Sequence, residues 1–258
     1  MRLEGRCAVV TGGGRGIGEA VARALAGAGA SVVVAARTRE QIEAVAASLR
    51  DAGRTGFAIQ CDVTDPDAVE RMAREAVERL GHVDILVNNA GGAGSAPLHR
   101  LTLEEWNRLL TLNATSTFLC TRAFAPAMAE RGWGRIINIA SVAGLMGARY
   151  IAAYAAAKHA VVGFTRAVAA ELAASGVTVN AVCPTYVDTD LTREAVARIV
   201  EKTGLTEQEA RDRLVAMNPQ GRLIEVDEVA HVVLALCGEG ARGINGQAIA
   251  IDGGARGA

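Results

Sequence analysis

The chain has 258 residues, 50% of them hydrophobic but only 3% aromatic, and Ala and Gly make up the difference. Its 29 Gly follow no Gly-X-Y period and come with only 5 Pro, which excludes a collagen-like or low-complexity chain. A formal net charge of −1 argues against a nucleic-acid partner or an anionic membrane held by bulk charge.

From the amino terminus, charges at Arg2, Glu4 and Arg6 precede any apolar run, so no signal peptide is expected. Short β-branched runs then alternate with amphipathic stretches. Strands are predicted at 8–11, 31–35, 56–61, 85–87, 135–139, 177–183 and 248–251, and helices at 16–28, 40–52, 66–80, 103–130, 153–174 and 226–236. This order predicts an α/β fold: a doubly wound, Rossmann-type parallel sheet of seven strands between two helical layers. No linker or repeat divides the chain, which reads as a single domain over 1–258. The stretch 185–225 breaks the alternation, being polar with helical spacing at 192–202 and 206–217. An insertion of this length is expected to be a substrate lid, the alternative being a plain surface hairpin.

Cys7, Cys61, Cys120, Cys183 and Cys237 are odd in number and sit in apolar runs, as expected of buried, reduced thiols in a cytoplasmic protein. His82, His99, His159 and His231 form no HExxH pair and have no Cys two to four residues away, so no metal site is expected. No apolar run is long enough to span a bilayer.

Directly after the first strand comes Thr11-Gly12-Gly13-Gly14-Arg15-Gly16-Ile17-Gly18, followed by helix. Glycines let a backbone approach phosphates, and the unpaired amides of a first helical turn receive an anion, so the turn predicts a dinucleotide pyrophosphate site. The second strand ends in Arg37, with no carboxylate before Glu40. A carboxylate there would take ribose hydroxyls, whereas Arg37 and Arg15 together suit a 2′-phosphate, which predicts NADP(H) over NAD(H).

Tyr154 and Lys158 stand at i and i+4 on an Ala-rich helix and share one face. A phenol with a pKa of about 10 exchanges protons poorly near neutrality. A nearby ammonium and an oxidised nicotinamide would favour the phenolate and lower it. Ser141 follows the fifth strand, at the carboxyl end of the sheet where ligands bind in open α/β folds.

With Asn88-Asn89-Ala90-Gly91, Asp62-Val63, Asn113, Pro184 and Asp252-Gly253-Gly254, these marks make the chain resemble the short-chain dehydrogenase/reductase family from Gly5 to Gly254. The resemblance implies Tyr154 as general acid/base, Lys158 as its pKa modulator and a ligand of the nicotinamide ribose, and Ser141 as the group orienting the carbonyl. Asn113 would hold a water in a proton relay from Lys158. For the cofactor it implies Gly12, Gly16, Ile17 and Gly18 at the turn, Asp62 and Val63 at the adenine, Asn89, Ala90 and Gly91 along the adenosine, and Pro184, Val187 and Thr189 at the nicotinamide. Thr185 departs from the family's Pro-Gly, which puts the local backbone in question.

The reaction implied is hydride transfer between NADP(H) and a ketone or secondary alcohol. The resemblance extends to 3-oxoacyl-thioester reductases and hydroxyacyl dehydrogenases, especially through the 218–223 segment. A carbonyl reductase for small or cyclic ketones using NAD(H), and a non-catalytic scaffold or sensor, remain the alternatives. Expected pocket walls are 92–96, 142–150, Tyr186 and 190–217, with Arg149 or Arg193 available to a carboxylate or phosphopantetheine. The family implies a homotetramer built on the 103–130 and 153–174 helices.

Overall fold

Seven runs rich in Val, Ile and Ala form β1 (Cys7–Thr11), β2 (Ser31–Ala36), β3 (Gly56–Gln60), β4 (Ile85–Asn88), β5 (Gly134–Ile139), β6 (Val177–Pro184) and β7 (Ala248–Ile251) in a computed structural model that describes residues 2–255. They make one parallel sheet in the order β3-β2-β1-β4-β5-β6-β7. Because strand side chains alternate, the register row Val33, Val9, Leu86, Ile136 and Val179 points to one face. There it meets α3 (Pro66–Leu80) and α5 (Ser116–Glu130) through Val69, Met72, Leu119, Phe124 and Met128. The neighbouring row Val34, Val10, Val87 and Ile137 meets α1 (Gly16–Gly27), α2 (Arg39–Asp51) and α9 (Val226–Cys237) on the other face. Val9 and Leu86 are fully buried, and each such side chain contributes about 1.5–3 kcal/mol of transfer free energy. With β1 flanked by β2 on one side and β4 on the other, the chain reverses its winding there, and a crevice opens beyond the carboxyl ends of β1 and β4.

The expected 103–130 helix is interrupted. It consists of α4 (Leu103–Leu110), a π-helical turn at Thr111–Thr115, and α5. Polar side chains sustain the turn: Asn113 Nδ2 donates to the Leu109 carbonyl at 2.9 Å, and the Ser116 and Thr117 hydroxyls donate to the Leu112 and Asn113 carbonyls. The next helix, α6 (Ala152–Glu171), stops short of 174, giving way to a 3-10 turn at Ala173–Ser175 and a left-handed Gly176. The 185–225 stretch carries α7 (Asp190–Thr203) and α8 (Glu207–Val215), the latter started by a capping box between Thr206 and Glu209 and ending before Met217. A parallel bridge between Val187 and Ile224 closes its base.

All five cysteines are buried, and no described helix is long and apolar enough to cross a membrane. The fold does assemble one cluster that sequence spacing hid. Cys7, His82 and Asp84 lie within 4.8 Å of one another at the amino-terminal edge of the sheet. Asp84 there accepts from the Cys7 amide at 3.1 Å, lies 3.0 Å from His82 Nε2 and faces Arg6 at 3.7 Å. The carboxylate thus ties β1 to the entry of β4, at the end of the sheet away from the crevice.

Candidate active site

The crevice is a cavity of about 1200 Å³. At its floor the turn after β1 is tied to the segment after β4. Thr11 Oγ1 accepts from the Asn89 and Ala90 amides, both at 3.1 Å, while Asn89 Nδ2 donates to the carbonyls of Thr11 and Gly12 at 3.0 and 3.1 Å. Gly12 and Gly16 hold left-handed φ values of 63° and 56°. Gly12, Arg15, Gly16 and Ile17 line the cavity together with Asn89, Ala90 and Gly91. Gly18 does not; a Cβ there would lie 2.2 Å from the Gly12 carbonyl oxygen, so its absence of a side chain lets α1 close up under the turn. Since α1 starts at Gly16, its first amides open on the cavity, as an anion site requires.

Beyond β2, Arg37 lines the cavity with Asp62 and Val63 and makes no ion pair among the described residues. Burial works to raise the Asp62 carboxyl, but hydrogen bonds from the Thr64 hydroxyl (2.7 Å) and amide (2.9 Å), with the Arg37 charge, hold it below the usual range. Thr38 and Gln41 also line this end; their position just after Arg37 was the available signal for them. Thr38 caps α2 without a side-chain hydrogen bond to it. Arg15 also lines the cavity, and its Nη1 lies 3.2 Å from Asp190 Oδ2 at the start of α7.

The opposite end gathers Ser141, Tyr154 and Lys158. Ser141 leaves β5, and its Oγ accepts from the Ala143 amide at 3.1 Å while hydrogen-bonding the Tyr154 hydroxyl. Burial raises the Tyr154 phenol above its ordinary value, the Ser141 bond pulling against it and Tyr186 and Cys183 adding to the rise. Lys158 Nζ donates to the Ile139 carbonyl at 2.9 Å and lies 5.9 Å from the Tyr154 ring centroid. Burial lowers the Lys158 ammonium to about 8, Cys183 opposing. Desolvation thus outweighs the opposing Ser141 bond, and the expected lowering of the phenol is left to the charge of an oxidised nicotinamide.

Asn113 does not line the cavity. Its Oδ1 accepts from the Gly92 amide at 3.2 Å, and its Nδ2 donates to the carbonyls of Gly92 (3.0 Å) and Leu109. Gly91 separates it from Lys158: a Cβ there would lie 2.7 Å from Asn113 Oδ1 and 3.5 Å from Lys158 Nζ.

After β6, Pro184, Thr185, Tyr186, Val187 and Thr189 line the cavity. Thr185 keeps an ordinary backbone and donates its amide to the Ile251 carbonyl at 3.0 Å, so no glycine is needed there. Among the described residues only Tyr150, with φ 70°, is a non-glycine in the left-handed region. Arg193 does not line the cavity and pairs with Asp188 and Asp190, whereas Arg149 lines it, 5.3 Å from the Tyr150 ring centroid and 3.3 Å from its hydroxyl. Within the 218–223 segment Asn218 is buried outside the cavity and accepts from the Gln220 amide at 3.1 Å, which marks a structural turn.

A doubly wound sheet with an anion-ready turn at one end of its crevice and a Ser-Tyr-Lys set at the other defines a dinucleotide-dependent oxidoreductase class. A family model described as short chain dehydrogenase matches residues 6–199, and the chain belongs to that family. It is 38% identical over 254 residues to the 3-oxoacyl-(acyl-carrier-protein) reductase of Escherichia coli, covering 98% of each protein. It is also 38% identical over 254 residues to a D-beta-hydroxybutyrate dehydrogenase of Rhizobium meliloti, covering 96% of this chain and 98% of that one. Among solved structures, a single-substitution variant of actinorhodin polyketide ketoreductase with NADPH superposes with a TM-score of 0.94 at 40% identity, covering 99% of both chains.

Proposed function

We propose that this chain is a reductase of 3-oxo compounds, with 3-oxoacyl thioesters as the favoured substrates, transferring a hydride between NADP(H) and a ketone or secondary alcohol. The observation that carries the reading is that Ser141, Tyr154 and Lys158 line the same cavity as the Gly-rich turn and Arg37. The likeness to a 3-oxoacyl reductase and to a ketoreductase with NADPH supports both substrate and cofactor.

The residues fit the dinucleotide. Left-handed Gly12 and Gly16 allow close backbone approach, the first amides of α1 suit a pyrophosphate, and Arg37 has a guanidinium to offer a 2′-phosphate. Asp62, with Oδ1 held by Thr64, offers Oδ2 to the adenine amino group beside Val63. Asn89, Ala90 and Gly91 floor the adenosine side, and Pro184, Val187 and Thr189 edge the nicotinamide side. When bound, the dinucleotide supplies or accepts the hydride. Ser141 orients the substrate oxygen, and Tyr154 delivers its hydroxyl proton to that oxygen in reduction or removes it in oxidation. Lys158 stands beneath the phenol. Asn113 positions Gly92 and the π-helical turn behind Gly91, adjoining a proton path from Lys158. Tyr154→Phe is expected to lower kcat by about 10²–10⁴-fold while NADPH titration of the variant gives an unchanged Kd. Near-normal turnover of the variant would remove the assignment.

The 185–225 segment acts as the lid: α7 and α8 pack through Val196, Ala210 and Leu214, with Tyr186 against them, and line the cavity through Ala195, Ile199 and Leu214. Leu103 and Phe118 are 72% and 41% exposed on α4 and α5, and Phe118 stacks edge-on to Phe164 of α6; this apolar face supports the homotetramer. Light scattering should give four times the chain mass, and a stable monomer would contradict it. Five buried thiols suit the reducing cytoplasm.

A further inference from the structure

The cavity is far more cationic than the chain around it. Seven Lys and Arg side chains line it against two carboxylates, Asp62 and Asp190, in a protein of net charge −1. Arg15, Arg37 and Lys158 are accounted for by the dinucleotide site. The surplus stands on the substrate side, where Arg198 and Lys202 of α7, Arg213 of α8 and Arg149 face the same space.

The ion pairing of the insertion sorts its cations. Arg193, Arg211 and Arg222, none of which lines the cavity, are paired with Asp188, Asp190 or Glu228. Arg198, Lys202 and Arg213, all of which line it, form no ion pair among the described residues. Arg213 senses Glu209 one turn back, and Arg198 senses the Tyr186 phenol, without an ion pair to either. Three like charges thus line the cavity without an ion pair among the described residues, a field that favours an entering anion. Tyr186, Leu214 and Met217 add apolar surface to the lining of the same cavity.

Resting on the ketoreductase reading, we propose that Arg198, Lys202 and Arg213 form a specificity wall for a second, anionic group of the substrate, separated from the reacting carbonyl by an apolar spacer. A phosphate on a pantetheine-type thioester arm and the carboxylate of a free oxo acid share this chemistry. The wall lowers KM for charged substrates without taking part in proton or hydride transfer.

Steady-state kinetics with NADPH test it on acetoacetyl-coenzyme A, which carries the phosphates, and on acetoacetyl-N-acetylcysteamine, the same thioester without them, with a longer free 3-oxo acid as the carboxylate arm. In the wild type a charged substrate should show a KM about tenfold below that of the neutral thioester, as expected for one or two exposed charge-assisted contacts. The ratio should collapse toward one in Arg198→Gln/Arg213→Gln, with kcat for the charged substrate held. The favoured charged arm identifies the source as phosphate or carboxylate. Raising salt from about 0.02 to about 0.5 M should shrink the wild-type ratio as well, which keeps the test open if the variant does not fold. Equal KM values for charged and neutral substrates, or a ratio unmoved by both the substitutions and salt, would overturn the wall while leaving the reductase intact. Failure to reduce any of the three would instead count against the ketoreductase reading.

Discussion

Replacing Lys158 with Met removes a cation that the fold holds at 6% exposure, with burial lowering its ammonium from 10.5 to about 8. At about 1.4 kcal/mol per pH unit this difference corresponds to roughly 3 kcal/mol of charge burial. Below pH 8 folded and unfolded chains both carry the proton, and the folded state bears the full cost. Between pH 8 and 10.5 the unfolded lysine keeps its proton while the folded one sheds it, so stability rises with pH through that window and levels off above it. The wild type should therefore gain roughly 3 kcal/mol over Lys158→Met between these limits, read as the difference in urea-unfolding free energy at a series of pH values. At neutral pH the gain from removing the charge is offset by the orphaned Ile139 carbonyl, worth about 1–3 kcal/mol, which is why the slope and not the absolute difference is diagnostic. A difference that stays flat with pH would show that the ammonium remains charged in the fold and would refute the reasoning.

Arg37→Ala should raise KM for NADPH by about tenfold or more and leave KM for NADH nearly unchanged, since a charge-assisted contact to a 2′-phosphate is worth about 1.5–3 kcal/mol; equal losses for both cofactors would place Arg37 elsewhere. Asp190→Asn removes the half-exposed partner that competes for Arg15, and because such exposed pairs are worth about 0.2–1 kcal/mol, NADPH should bind up to about fivefold tighter in fluorescence titration. Weaker binding by that variant would mean that Asp190 helps to build the site.

The central strands were legible because they are buried on both faces; β2 reads as an apolar run in which Val32, Val33 and Val34 are fully buried, and it extends the expected strand by only one residue. Tyr154, Lys158, Ser141 and the Gly-rich turn were legible because their chemistry depends on local spacing. The π-helical turn around Asn113 was not, since no periodicity announces it and one of the Asn113 partners, Gly92, lies 21 residues away in sequence. Thr185 invited doubt that the backbone dispels, because no residue conformation can be read from the identity of a single side chain. Arg15 was expected beside a 2′-phosphate and lines the cavity, but the sequence did not show that Asp190, 175 residues away and brought up by the clamp between Val187 and Ile224, meets it there. Long-range ion pairing of this kind leaves no periodic trace.

Burial moves the two central ionisable groups in opposite directions, raising the Tyr154 phenol and lowering the Lys158 ammonium. Both shifts follow from one cause, since a poorly solvated pocket disfavours whichever form is charged. In the free chain Tyr154 consequently keeps its proton throughout the neutral range, which is the state required to protonate a carbonyl oxygen as hydride arrives. Alcohol oxidation needs the opposite state, a phenolate, and therefore needs a positive charge close to the ring to offset desolvation. Lys158 alone does not offset it at 5.9 Å from the ring centroid, with its Nζ turned to the Ile139 carbonyl. The geometry thus makes proton donation the default of Tyr154 and proton removal conditional on charge brought in by the bound dinucleotide.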